Sequence, residues 1–220
     1  MTPAVTFIFD DAYQAEYLHM LPLFKKYNMP ACTAVTSNFI GCTKIDTNEQ
    51  YSTTNELLEM QENGWEILSH GLTHTNLMTL SEDNIDKELR LSKEALTHLG
   101  LKVNNLVYPF HANDEVVRDC AKKYYRSARG HHGISRYYDL YNYSGVMLDD
   151  HSLTNKHKRY VDNNLDWLVF YCHLCMSKII SSTLEDRIEA VKELVEHCAT
   201  KQVRVITVNE AINEIQGLSR

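Results

Sequence analysis

Short apolar runs alternate with longer amphipathic stretches along nearly the whole chain. Val5–Phe9, Ala31–Thr36, Trp65–Leu68 and Asn105–Tyr108 read as strands. Between them Gln14–Tyr27, Thr53–Asn63 and Asp114–Tyr125 read as helices, and so does a segment that Ser81 caps and Gly100 stops. The second half is less regular. Arg126–Arg129 and Val146–Leu148 read as short strands, Trp167–Cys172 as a strong one, Leu184–Thr200 as an amphipathic helix and Val203–Val208 as a last strand before a terminal helix. Strands that alternate with helices pair in parallel and need both faces covered. The fold class is therefore α/β: a distorted, incomplete (β/α) barrel of seven or eight strands, with a doubly wound open sheet as the alternative. At 220 residues the chain fits one barrel-sized domain over residues 1–220.

Composition excludes several classes of function. The formal net charge of −7, with no long basic run, argues against a nucleic-acid partner. No apolar stretch reaches the roughly 18 residues of a membrane span. No signal peptide precedes Val5, so the chain as it stands reads as cytoplasmic, or as secreted or cell-envelope if it has been trimmed. The six cysteines are scattered and read as reduced thiols. Cys172 and Cys175 form a C-x-x-C, but no second pair stands at zinc-ribbon spacing. Oligomeric state is not readable.

In a parallel barrel, functional residues collect at the carboxyl ends of the strands. The chain is chemically loaded there. Asp10 and Asp11 follow the first strand, Ser69 and His70 the third, Pro109, Phe110 and His111 the fourth, and His131 and His132 the fifth. Asp149 and Asp150 follow the sixth, and His173 ends Trp167–Cys172. His70 and His74 are spaced i, i+4, close enough on one turn to share a metal, although Gly71 favours a loop over a regular helix. Gly71 also stands where a zinc-protease motif needs glutamate, so a general base must come from elsewhere. One aspartate of the Asp10–Asp11 pair can complete a two-histidine, one-carboxylate site, and the other can take a proton from water. A divalent cation also offsets the repulsion between the two adjacent carboxylates.

These residues resemble the motifs of the polysaccharide deacetylases, carbohydrate esterase family four. The family's T-F-D-D-G motif is similar to Thr6–Ala12, its H-[ST]-x-x-H motif to His70–His74, its proline-aromatic-glycine motif to Tyr108–His111, and its late strand ending in histidine to Leu168–His173. The resemblance implies a distorted, incomplete (β/α) barrel and a single catalytic domain. It implies hydrolytic removal of N-acetyl groups from an acetylated sugar, an N-acetylglucosamine-containing glycan or oligosaccharide. It also implies that Asp11, His70 and His74 hold one divalent metal, that Asp10 is the general base acting on a water at the metal, and that His173 is the general acid. Zinc is the default metal, and cobalt, nickel or iron suits the same ligands. Pro109 has no N–H, so Phe110 carries the nearest backbone donor, which the resemblance assigns to the oxyanion.

The departures from the family pattern are specific. Ala12 and His111 stand in place of glycines, and Gly71 in place of a hydroxyl residue, for which Thr73 is a substitute hydrogen-bonding group. Val107 stands where many members carry a base-orienting arginine, and Arg129 is the candidate replacement. Asp149 or Asp150 is placed to tune His173. Asp166-Trp167 resembles a further family motif but falls at the opposite end of its strand. The tyrosine-rich "RYYDLYNY" offers a sugar platform. Two other readings stay open: a hydrolase of a non-sugar amide, imide or O-acetyl ester, and an inactive carbohydrate-binding module.

Overall fold

The computed structural model describes residues 2–134, 139–164, 166–176 and 182–217. Seven parallel strands form a closed barrel in chain order: β1 (Ala4–Asp10), β2 (Cys32–Val35), β3 (Glu66–Ser69), β4 (Val103–Val107), β5 (Ser127–His132), β6 (Tyr143–Met147) and β7 (Trp167–Cys172). A π-turn at Glu16–Met20 runs into α1 (Leu21–Lys26). The other helices are α2 (Thr54–Glu62), α3 (Glu82–His98), α4 (Glu115–Lys122), α5 (Thr154–Asp162), α6 (Leu184–Thr200) and α7 (Val208–Ile215). Among the described residues no helix is long and apolar enough to cross a membrane.

The expected last strand over Val203–Val208 does not form. Val205 makes a single bridge to Val5, and Val208 already begins α7. Two causes are visible. Thr207 and Glu210 form a capping box that starts a helix inside the apolar run. The carboxyl half of β1 is also already occupied by β2 on that side, through Ile8–Cys32, Phe9–Thr33 and Asp10–Ala34.

β1 and β7 are buried along their whole length, as strands covered on both faces must be. Alternate residues then serve two cores. Val5, Phe7 and Phe9 pack under the helices with Phe24, Trp65 and Phe170. Ala4 and Ile8 face the barrel interior with Trp167, Val169 and Tyr171, where Val208, Ala211 and Ile212 of α7 close the amino-terminal end. One short element has no counterpart in the sequence pattern. Thr43–Lys44 pairs antiparallel with Glu49–Gln50, and a Tyr13–Tyr51 bridge joins this ribbon region to the loop after β1.

Strand register assembles the carboxyl rim. Phe9 pairs with Cys172, so Asp10 and His173 emerge side by side. Val35 pairs with Ser69, just before His70, and Val107 pairs with Arg129. A buried hydroxyl cluster fixes part of this rim. Ser92, on the inner face of α3, lies 2.7 Å from the Ser37 hydroxyl and 2.8 Å from that of Ser69. Tyr125 donates to the Leu89 carbonyl at 2.8 Å and lies 2.9 Å from Ser69 Oγ. Ser92→Ala removes the shared partner of one buried and one half-buried hydroxyl and is expected to cost roughly 1–3 kcal/mol. Urea unfolding of the variant measures it, and an unchanged midpoint would show that the cluster does not hold the rim.

Candidate metal and catalytic centre

The two aspartates at the end of β1, Asp10 its last residue and Asp11 the next, separate because the backbone turns sharply there. Asp11 and Ala12 have φ of 79° and 59°, the left-handed region that L-residues enter at a cost. Glu16 holds this turn, accepting from the Tyr13 N–H at 3.0 Å and from the Thr33 hydroxyl at 2.7 Å. Its own burial pushes the Glu16 carboxyl well above the usual range. Asp11 Oδ1 then lies 3.5 Å from His70 Nε2 and 3.2 Å from His74 Nε2.

His70 is oriented by its other nitrogen. Nδ1 lies 2.7 Å from the Val107 carbonyl and must donate to it, which leaves the Nε2 lone pair facing Asp11. Burial lowers the His70 pKa to about 4 against the pull of Asp10 and Asp11, so the ring is neutral. His74 sits on an irregular loop at φ 59°. Glu88 of α3 grips that loop, accepting from the Leu72 and Thr73 N–H groups at 3.1 Å each and from the Thr73 hydroxyl at 2.8 Å. The Thr73 hydroxyl thus bonds to Glu88 and Thr75. Gly71 is at φ 79°, which accounts for a glycine there.

Three features suit Asp11, His70 and His74 to a metal. Their ligand atoms all lie within 4.8 Å of one another. Asp11 Oδ1 is buried and accepts no hydrogen bond from the described residues. Ligands on a tetrahedral ion at about 2.0–2.1 Å stand about 3.3–3.4 Å apart, close to the two separations observed from Asp11.

Asp10 has different neighbours. Arg129, wholly buried, reaches it from β5 and pairs Nη2 with Oδ2. His173 Nε2 lies 3.6 Å from the same oxygen. Burial opposes ionisation of Asp10, but Arg129, His173 and His70 outweigh it and hold the carboxyl below its usual range. His173 is gripped twice by buried Asp149, from its backbone N–H at 2.8 Å and from Nδ1 at 2.7 Å. Burial lowers the His173 pKa, but the Asp149 hydrogen bond and the charge of Asp10 prevail and raise it to about 9. Asp150 does not join the site. It caps the turn at His151–Leu153, accepting from the Ser152 N–H and hydroxyl at 3.0 and 2.6 Å.

A cleft of about 720 Å³ opens over these groups. Phe110 and His111, at φ 59° and 56°, form one lip, and Pro109 is buried beneath it. Phe110 is 63% exposed and lies edge-on to His74 at 4.7 Å. The His111 and Ala112 N–H groups are used by the Tyr108 and Pro109 carbonyls at 3.1 Å. Burial lowers the His111 pKa to about 4. A further wall stacks Tyr13 on Tyr51 at 4.9 Å, with Phe39 tilted against Tyr51 at 5.0 Å and Lys44 of the ribbon beside them. This wall was not foreseen, because it depends on a ribbon that leaves no periodic signal.

The tyrosine-rich segment proposed as a sugar platform is only partly described. In "RYYDLYNY" residues Arg136, Tyr137 and Tyr138 fall outside the described residues. Tyr141 donates to the Tyr125 carbonyl at 2.8 Å and Tyr143 is buried against Trp167, so both are packing residues. Trp167, at the far end of its strand, donates to the Thr6 hydroxyl at 2.9 Å. All six cysteines are thiols, and Cys175 Sγ lies 3.1 Å from Arg187 Nη1.

The family model for polysaccharide deacetylase matches residues 2–127, more than half of the chain and the part that carries Asp10, Asp11, His70 and His74. A Bacillus subtilis (strain 168) relative named as a polysaccharide deacetylase, YxkH, is 27% identical over 120 residues, 54% of this chain and 41% of that protein. The chain therefore spans less than half the length of this curated relative. A solved structure described as T48 deacetylase with substrate superposes with a TM-score of 0.68 at 19% identity, covering 97% of this chain and 92% of the other. Wild-type BA3943 of Bacillus anthracis, described as a CE4 family pseudoenzyme, gives a TM-score of 0.62 at 16% identity, with 97% and 66% covered. These structural likenesses carry the barrel fold, and with the family match over strands β1 to β4 they lead to one conclusion: the chain belongs to the polysaccharide deacetylase family.

Proposed function

We propose that this chain is a metal-dependent hydrolase that removes N-acetyl groups from an N-acetylglucosamine-containing glycan or oligosaccharide, with zinc as the default metal. The carrying observation is the different surroundings of two adjacent carboxylates, Asp11 against two histidines and Asp10 between Arg129 and His173. Asp11, His70 and His74 would hold a divalent metal, which would supply Lewis acidity toward water and the acetyl carbonyl. Asp10, kept ionised by its neighbours, takes the proton from the attacking water. His173, kept protonated by Asp149 and Asp10, delivers a proton to the departing nitrogen as the C–N bond breaks. In this reading the Phe110 N–H donates to the oxyanion. The aromatic wall of Tyr13, Phe39 and Tyr51 supplies apolar faces for a sugar ring. A full set of acid, base and ligand residues favours an enzyme over an inactive module.

Acetate release from a panel of N-acetylglucosamine oligomers, acetyl-xylan, cyclic imides and an aryl acetate tests this reading. The expected result is release from the N-acetylated sugars, loss on chelation and recovery with added zinc. Release from imides or esters alone would reassign the substrate, and no release from any substrate by zinc-loaded protein would leave a binding module.

The acid role predicts a pH dependence. His173 must carry its proton, so amide hydrolysis is expected to fall as pH rises through about 9. Asp149→Asn removes the charge that helps retain that proton, so the falling limb should move to lower pH. His173→Ala should damage amide hydrolysis far more than hydrolysis of an activated acetyl ester, whose leaving group needs no proton. Equal losses on both substrates, or an unmoved limb in Asp149→Asn, would place the acid elsewhere.

A further inference from the structure

Arg129 is held on Asp10 by less than its full set of hydrogen bonds. Only Nη2 reaches the carboxylate, while Nε and Nη1 are buried and find no acceptor among the described residues. A guanidinium with one bonded nitrogen can swing about that contact unless something else fixes its plane. The side chain packed against it is Tyr171, the inward residue near the end of β7, whose ring centre lies 4.1 Å from Arg129 Cζ.

Three further observations show that this stack is built in. The first concerns the hydroxyl of Tyr171, which His111 Nε2 approaches to 3.2 Å and His132 Nδ1 to 3.0 Å. One phenol can donate to one imidazole and accept from the other, so two rings from different strand ends pin one hydroxyl. The second is Gly145 on β6. A Cβ there would meet Tyr171 Cδ1 at 3.1 Å and Arg129 Cδ at 3.3 Å, so the glycine leaves the room in which the two side chains meet. The third is edge contact between Tyr171 and His173, with ring centres 5.8 Å apart. Tyr171 therefore touches the partner of the base and the acid together.

We infer that Tyr171 is a positioning residue: its ring face fixes the plane of Arg129 so that the guanidinium orients Asp10 toward the water, and its hydroxyl is clamped by His111 and His132. The inference rests on the reading of Asp10 as the base. It explains how an arginine from β5, entering across the barrel mouth, holds the carboxylate in one orientation with a single hydrogen bond. Phe at this position keeps the face and loses the clamps. Leu loses the face.

The test uses the zinc-loaded full chain, with Tyr171→Phe, Tyr171→Leu, Arg129→Met and the Tyr171→Leu/Arg129→Met double variant. With an N-acetylglucosamine oligomer as substrate, Tyr171→Phe should keep kcat within about threefold. Tyr171→Leu should lose roughly 10–100-fold in kcat with little change in KM, the scale of a small misplacement of a catalytic group. The double variant should be no slower than Arg129→Met alone, because Tyr171 acts through Arg129. A second readout needs no activity. In side-chain NMR of arginine, Arg129 should show ring-current shifts in wild type and Tyr171→Phe and lose them in Tyr171→Leu. Full kcat in Tyr171→Leu, fully additive losses in the double variant, or unshifted Arg129 resonances in wild type would each overturn the inference. If the wild type releases no acetate from any substrate, the functional reading fails, and the NMR comparison alone decides whether Tyr171 positions Arg129.

Discussion

The closure of the barrel through β1 and β7 is the constraint on which the site depends. Six consecutive residue pairs run in register from Ala4–Trp167 to Phe9–Cys172. One residue further, Asp10 and His173 stand next to each other without any loop to place them. A slip of one residue would turn each side chain of one strand to the opposite face and separate the two groups. The two aromatic layers that lock this register, Phe7 and Phe170 outside and Trp167 inside, are core residues that place the proposed base and acid.

Beyond the strand ends the chain spends conformational energy to aim side chains. Asp11, Ala12, His74, Phe110 and His111 all lie in the left-handed region, at roughly 1–2 kcal/mol each for an L-residue. Such strain persists only where surroundings enforce it. Here Glu16 enforces it beside Asp11 and Ala12, and Glu88 beside His74. Burial of Asp10 costs more still unless it is compensated, and Arg129 and His173 provide the opposite charge. Stability and chemistry therefore meet at one carboxylate.

Much of this was legible in the sequence, and for a physical reason. Strands buried on both faces leave plain apolar runs, and the chemistry of a parallel barrel sits where those runs stop. Asp10, His70 and His173 could be read from that rule, whereas Arg129, inside β5, was reached only as a substitute for the arginine of the family pattern. Ala12 and His111 mark two left-handed positions, which shows why the family motifs favour glycine there. What failed was what tertiary context decides. The Val203–Val208 run looked like a strand because periodicity does not weigh the capping box at Thr207. The ribbon at Thr43–Gln50 is too short to show a period. Tyr13 and Tyr51, far apart along the chain, line the cleft together, and Tyr171 stands in a strand that reads as core, so neither is marked by any local pattern.

The central claim is that two adjacent aspartates hold different offices, Asp11 binding the metal and Asp10 taking the proton. The most direct measurement is acetate release by Asp10→Asn and wild type at equal, measured zinc content, with an N-acetylglucosamine oligomer as substrate. The account predicts that Asp10→Asn binds zinc as tightly as wild type and hydrolyses roughly 10²–10⁴-fold more slowly. Near-normal turnover at full zinc occupancy, or loss of zinc together with activity, would contradict it.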